Sequence, residues 1–244
     1  MKEVTYPALQ EIIDQSNQIV FFGGAGVSTE SGLPDFRSKK GLYNQVNDYP
    51  PETILSHSFF FTHMEEFYRF YKENLIFPWV KPNAAHYALA HMEKTGKLIA
   101  VVTQNIDGLH QMAGSHTVYE LHGSAHRNIC LGCKQVFPIE TISCATGIPL
   151  CSCGSVIKPD VVLYEEPLSQ DVLASAISAI SMADTLIVGG TSLNVYPAAG
   201  LIRYFKGEHL VLINQDQTSA DDNAELIIRD PIGQVLGSLQ SSDK

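Results

Sequence analysis

The chain has 244 residues, 45% of them hydrophobic, enough to bury a sizeable core as one domain or as a main domain with a small insert. Sixteen basic residues against 26 acidic ones leave a net charge of −10, which argues against nucleic acid or an anionic membrane as the main partner without repelling a lysine-rich tail. No apolar run approaches the ~20 residues of a membrane span, and the opening stretch MKEVTYPALQEII lacks a secretory leader's apolar core, so a cytoplasmic protein is expected.

Leu9, Ile12 and Ile13 share a helical face and predict a helix over Ala8–Ser16. Gln18–Phe22 (QIVFF) then reads as a buried strand running into Gly23–Ser38, GGAGVSTESGLPDFRS. A strand entering Gly-x-Gly is how a nucleotide-binding fold begins: glycine permits the tight turn and removes side chains where backbone must approach a pyrophosphate. Gly24, Ala25 and Gly26 suit that role, with Thr29 where the third glycine of a dinucleotide fingerprint would stand. A dehydrogenase would add a second strand with an acidic end about 20 residues on. Asp48, beside Tyr49-Pro50-Pro51 in a loop-like stretch, is no such strand end. What raises the glycines above an ordinary turn is Pro34-Asp35-Phe36-Arg37, a rigid turn carrying an acid, a ring and a guanidinium.

From Lys39 to Trp79 the chain turns aromatic, and Phe59, Phe60, Phe67, Tyr68 and Tyr71 suggest one or two short helices of an insertion. Asn83–Lys94 reads as a helix stopped by Gly96. Strands are then predicted at Leu98–Val102, Val118–Leu121, Thr185–Val188, Leu210–Ile213 and Leu226–Ile228, with helices at Gln170–Ala183, Pro197–Phe205 and Gly233–Leu239. The alternation predicts an α/β fold with a doubly wound, parallel, Rossmann-like sheet, which binds ligands beyond the carboxyl ends of its strands. The polar blocks cluster there: Gly23–Gly26, Gln104-Asn105-Ile106-Asp107, His122-Gly123, Gly190-Thr191-Ser192, Asn214 and Asp230 each follow a strand. One composite nucleotide site is expected.

Within it, Gln104, Asn105 and Asp107 can hydrogen-bond a ribose or a carboxamide. His122, at a strand end with a glycine behind it, is accessible as a general base must be, while His110, His116 and His126 suit structural or rim roles. Gly190, Thr191 and Ser192 suit phosphate or ribose oxygens, Asn214 adenosine ribose hydroxyls, and Asp230 with Pro231 the closure over adenine. All five cysteines lie between Cys130 and Cys153. Cys130-x-x-Cys133, seventeen residues and Cys151-x-Cys153 have structural-zinc spacing, with disulfides or a redox pair as the alternatives and Cys144 left over as a free thiol.

Gly24–Arg37 resembles GAG[IV]S-x-x-SGIPDFR, the signature of the sirtuins, the NAD-dependent protein deacylases, and departs from it only at Leu33. The resemblance, of the bacterial type, recurs in TQNIDGLH at 103–110, LHG around His122, KPDVVLYEE at 158–166 (family pattern PxVVxFGE, with Glu165 at the glycine), GTSLNVYPAA at 190–199 and Ile213-Asn214. It implies an NAD-binding domain of 1–38, 82–124 and 155–244, with a helical insertion at 39–81 and a zinc-ribbon insertion at 125–154 forming a smaller module. It further implies that Asp107 and the Ile106 backbone hold the nicotinamide carboxamide, and that Gln104 and Asn105 address the adjoining ribose and a water. Phe36 would shield the reactive face, Arg37 hold the pyrophosphate, Asp35 order its loop, and Val162 and Tyr164 line the acyl-lysine tunnel. Sirtuins that prefer succinyl or malonyl lysine carry Tyr-x-x-Arg where this chain has Tyr68-Arg69-Phe70-Tyr71, which implies a neutral acyl group.

The implied reaction is attack of the acyl oxygen on the anomeric carbon of the nicotinamide ribose, loss of nicotinamide, and deprotonation of a ribose hydroxyl by His122, ending in free lysine and O-acyl-ADP-ribose. Transfer of ADP-ribose to a protein and a non-enzymatic NAD-binding scaffold are the alternatives. The expected partner is an acylated lysine in a protein or peptide, met by a monomer without direct nucleic-acid or membrane contact.

Overall fold

The computed structural model describes residues 6–36, 41–44 and 49–239. Among the described residues, nine strands form two sheets: β1 (Ile19–Gly23), β2 (Leu98–Thr103), β3 (Val118–Glu120), β4 (Gly123–Cys130), β5 (Val136–Phe137), β6 (Ile157–Val161), β7 (Thr185–Gly189), β8 (His209–Ile213) and β9 (Leu226–Ile228). Six of them build a sheet of order β3-β2-β1-β7-β8-β9, parallel at every pairing. That is the 3-2-1-4-5-6 order of a Rossmann fold, whose strand order reverses between its first and fourth strands, here β1 and β7. The doubly wound expectation holds, with predicted and observed strand ends differing by a residue or so.

The central strands β1 (IVFFG) and β7 (TLIVG) are buried at every position because both faces are covered. Strand alternation deals their side chains to opposite faces. Ile19 and Phe21 join Leu9, Ile12, Ile13, Leu89 and Val235 on one side, and Val20 and Phe22 join Ala176, Ile180, Ala199 and Leu201 on the other. The first side is covered by helices Pro7–Gln15, Ala84–Lys94 and Ile232–Gly237, and the second by Gln170–Met182 and a 3-10 helix, Ala198–Tyr204. An α-helix was expected over Pro197–Phe205. The observed bonds Gly200 N to Pro197 O (3.0 Å) and Phe205 N to Ile202 O (3.1 Å) span three residues, the tighter winding.

The remaining strands make a separate antiparallel sheet of order β5-β4-β6, packed against helices Pro51–Ile54, His57–Thr62 and Met64–Asn74. Phe59, Phe60, Phe67, Tyr68, Phe70 and Tyr71 form its core with Ile142, Ile157 and Leu163. The junction between the sheets is two residues long, since β3 ends at Glu120 and β4 begins at Gly123. Gly123 lies at φ +77, and a Cβ there would stand 2.1 Å from the Asp160 carbonyl of β6, so the turn accepts only glycine. Arg127 spans the same junction, donating to Glu120 of β3 and Asp160 of β6 at 2.8 Å each. Among the described residues no helix is long and apolar enough to cross a membrane.

Candidate active site

The strand exits of the large sheet open into one cavity of about 560 Å³, walled on its far side by the smaller module. Its floor continues the strand ladder. Gly24 N donates to Gly189 O at 3.3 Å, Gly26 N to Gly190 O at 2.8 Å, Gln104 N to Gly23 O at 3.0 Å and Gly190 N to Ile213 O at 3.1 Å. The exit loops of β1 and β7 are pressed together at the switch point. A Cβ on Gly24 or Gly26 would come within 2.9 Å of the 190–191 backbone or side chain, and Gly190, at φ +58, would put one 2.3 Å from Val27 N. The glycines therefore serve loop-on-loop packing as well as an open approach for a ligand.

Side chains then link one exit to the next. Gln104 Nε2 donates to Thr191 Oγ1 (3.0 Å), Thr191 N donates to Asn214 Oδ1 (3.0 Å), and Asn105 Nδ2 donates to the Gly24 carbonyl (3.1 Å) and to Ser28 Oγ (3.2 Å). Ser28 Oγ in turn donates to Asp107 Oδ2 at 2.7 Å, and Leu109 N to Asp107 Oδ1 at 2.9 Å. Burial pushes the Asp107 carboxyl upward from its ordinary value, against the pull of those two donors.

His122 stands at the junction of the two sheets, held at both ends. Its carbonyl accepts from Val162 N (2.9 Å), and its Nδ1 lies 2.9 Å from the Gln104 carbonyl. A carbonyl only accepts, so Nδ1 carries the proton and Nε2 keeps its lone pair. Burial lowers the imidazole pKa below the usual histidine value despite that bond, so the ring is neutral at pH 7 and able to take a proton.

The other histidines part from it. His110 is buried against Phe21 and His86, His126 Nε2–H donates to the Asp107 carbonyl at 2.9 Å, and His116 lies outside the cavity wall. Gly24, Ala25, Gly26, Thr29, Asp35, Phe36, Gln104, Ile106, Gly190, Ser192, Asn214 and Asp230 all line the cavity, as do Val162 and Tyr164. Arg37 lies outside the described residues.

Cys130, Cys133, Cys151 and Cys153 gather with all four Sγ atoms within 4.8 Å of one another, Cys130–Cys153 at 3.4 Å and Cys133–Cys151 at 3.6 Å. These are free thiols far beyond the ~2.05 Å of a disulfide, and close to the ~3.8 Å sulfur spacing that follows from tetrahedral zinc with bonds of ~2.3 Å. Four thiolates fill such an ion's coordination, so it would brace the fold and activate no water. Cys144 is exposed and stands apart from the four.

Residues 24–197 match the profile of the Sir2 family. The chain belongs to the Sir2 family. It is 61% identical to an NAD-dependent protein deacetylase of Clostridium acetobutylicum over 93% of this chain and 95% of that protein. A protein of the same description from Clostridium perfringens is 60% identical over 95% and 96%. Among solved structures, a Sir2 with a p53 peptide and NAD+ superposes with a TM-score of 0.83 at 41% identity, covering 95% of each chain. A Sir2 variant with a deacetylated p53 peptide and 3'-O-acetyl-ADP-ribose gives a TM-score of 0.87 at 40% identity over 96% of this chain and 97% of that one. For this Sir2 chain the resemblance read from short motifs thus extends over nearly the whole length.

Sequence reasoning passed over several residues that line the same cavity. Ser28, buried and bonded to both Asn105 and Asp107, stood inside the glycine motif without a role. Glu30 bonds the Gly233 amide, and Tyr43 and Asn74 come from the aromatic insertion, where no periodicity points toward a site.

Proposed function

We propose that this chain is an NAD-dependent protein lysine deacylase, most active on acetyl and other neutral acyl groups, and that it acts in the cytoplasm as a monomer. The observation that carries the reading is the fixed tautomer of His122: Nδ1–H is spent on the Gln104 carbonyl, and a neutral Nε2 remains for a hydroxyl proton. When bound, NAD supplies the electrophilic anomeric carbon and the nicotinamide leaving group. The residues present fit it, with side-chain-free backbone at Gly24 and Gly26 for the pyrophosphate, Asn214 for the adenosine ribose, and Asp230 with Pro231 beside adenine. Asp107 and the Ile106 backbone receive the carboxamide, Gln104 and Asn105 orient the adjoining ribose, and Phe36 excludes water from the reacting face. Arg37 is assigned to the pyrophosphate and Asp35 to ordering the loop that carries it.

Acyl-lysine enters along Val162 and Tyr164, which line the cavity on either side of the buried Leu163. Among the described residues, the cavity lining has no lysine or arginine but includes Glu30, Asp35, Asp107, Glu165, Glu166, Asp216 and Asp230. Arg69 is exposed and paired with Glu66 at 3.5 Å, and Tyr71 is buried in the helix position a carboxylate-binding arginine would need. An anionic acyl chain would meet repulsion there. A cationic peptide flank is favoured.

The test is a panel of acetyl-, succinyl- and long-chain acyl-lysine peptides with NAD, read by mass spectrometry on the wild type and on His122→Ala. The wild type should convert the acetyl peptide fastest. The variant should lose about 10²- to 10⁴-fold in kcat, the usual range for a general base, with NAD affinity kept. The acid limb of wild-type kcat/KM should fall below the ordinary histidine value of about 6.5. Undiminished turnover by His122→Ala would refute the role, and ADP-ribose mass retained on protein would show transfer in place of deacylation.

A further inference from the structure

Within Val161–Glu166, two side chains depart from the pattern PxVVxFGE, and both make bonds that the pattern's residues could not: Tyr164 stands at the phenylalanine and Glu165 at the glycine. Glu165 lies at φ +75, a left-handed conformation that favours glycine. Its carboxylate accepts from Ser58 Oγ at 2.7 Å and Ser58 N at 2.9 Å, in the first turn of His57–Thr62, and those bonds hold the carboxyl below the usual carboxylate range. The backbone beside it is tied as well, with Tyr164 N donating to Leu55 O (3.0 Å) and His57 N to Tyr164 O (2.9 Å).

With both flanks pinned, the Tyr164 hydroxyl meets the hydroxyl of Tyr43. Tyr43 is itself joined to the cofactor loop: its N–H donates to the Phe36 carbonyl at 2.9 Å, and the Phe36 and Tyr43 rings meet edge to face with centroids 5.6 Å apart. Leu42 N adds a bond to Asp35 O at 2.8 Å. One unbroken path of contacts runs from the acyl-lysine segment to the ring assigned to the cofactor's reactive face.

We infer that Tyr164 and Tyr43 are positioning residues that act through Phe36, coupling the acyl-lysine segment to the NAD site by one hydroxyl pair. The inference rests on the functional reading above. Neither tyrosine touches the reacting atoms. Their part is to hold Phe36 in the place that binds cofactor well.

Y43F, Y164F and the double variant keep the rings and remove only hydroxyls. The measurements are the NAD Kd of the peptide-free protein, and kcat and both KM values with an acetyl-lysine peptide. A hydrogen bond of this kind is worth a factor of about three to ten in an equilibrium constant, so each single variant should raise the NAD Kd and NAD KM by that factor. The double variant should lose less than the product of the two single effects, because the two hydroxyls share a contact. An unchanged NAD Kd in Y164F, effects that multiply in the double variant, or a change confined to the peptide KM would each overturn the inference. A wild type that fails to deacylate while the NAD Kd values follow the expected pattern would sink the functional reading and leave the hydroxyl pair standing.

Discussion

The two sheets are stabilised by different means. The large one stacks valine, isoleucine and phenylalanine between two helical layers, and its exit loops lock through glycines. The small one has a two-residue edge strand, β5, and an aromatic core on short helices, with four thiols at its tip. Burying a phenylalanine is worth about 2 to 3 kcal/mol, yet a sheet of three short strands pays much of that back in chain entropy. The comparison teaches that the large sheet is held by a continuous apolar core on both faces, whereas the small one adds four thiols spaced for a metal cross-link. His122 sits on the two-residue seam between them.

Removing the cross-link should have the largest effect. Structural zinc contributes about 10 to 16 kcal/mol in small thiolate sites, comparable to the whole stability of an ordinary domain. Cys151→Ser, or a strong chelator, should therefore empty the site and unfold residues 123–161 while β1 and β7 stay protected. Metal analysis with amide exchange reads this directly, and equal loss of protection in both sheets would erase the proposed contrast.

A smaller but still large effect is expected at the exit loops of the large sheet. Gly190→Ala adds a methyl 2.3 Å from Val27 N at a left-handed φ. Overpacking with backbone strain costs about 3 kcal/mol, or a fall in Tm of roughly 6 to 12 °C for a chain of this size. Thermal melts check it. A Tm within two or three degrees of wild type, on the order of 1 kcal/mol, would mean the exit loops are looser than their packing implies.

The smallest effect sharpens the contrast through pH. His86 and His110, packed together at 4.7 Å beneath the sheet, are held neutral by burial, with pKa values pushed down to about 4 and about 3. Because the folded values lie below the unfolded one, the unfolded chain takes up protons first, and stability falls as pH drops below about 6.5. Each such histidine contributes a slope of about 1.4 kcal/mol per pH unit between there and its folded value. His110→Gln should flatten the wild-type slope by that amount in urea melts at pH 6 and 5. An unchanged slope would place the titration elsewhere.

Much of this was legible before any coordinates. Continuous apolar runs such as IVFF and LIV marked the buried parallel strands, because strands covered on both faces need no alternation. The polar blocks at their exits marked the cavity for the same topological reason. The small sheet was harder to see: β4 reads GSAHRNIC, with buried and exposed positions in no clean period, since a bulge between Ser124 and Asn128 breaks its register. Ser28 and Tyr43 escaped because their roles depend on partners 79 and 121 residues away in the chain.

The sequence by itself determined the α/β class, the glycine-lined floor of the cavity and the cysteine quartet, since each is a local pattern of residue type and spacing, whereas singling out His122 among nine histidines rested on the resemblance of its LHG context. Only the tertiary structure decided which ring nitrogen of His122 carries the proton, why Glu165 tolerates a glycine's conformation, and that Tyr164 reaches Tyr43. Those outcomes rest on single contacts between segments remote in the chain, and a hydrogen bond's geometry exists only once both partners have been brought to the same place.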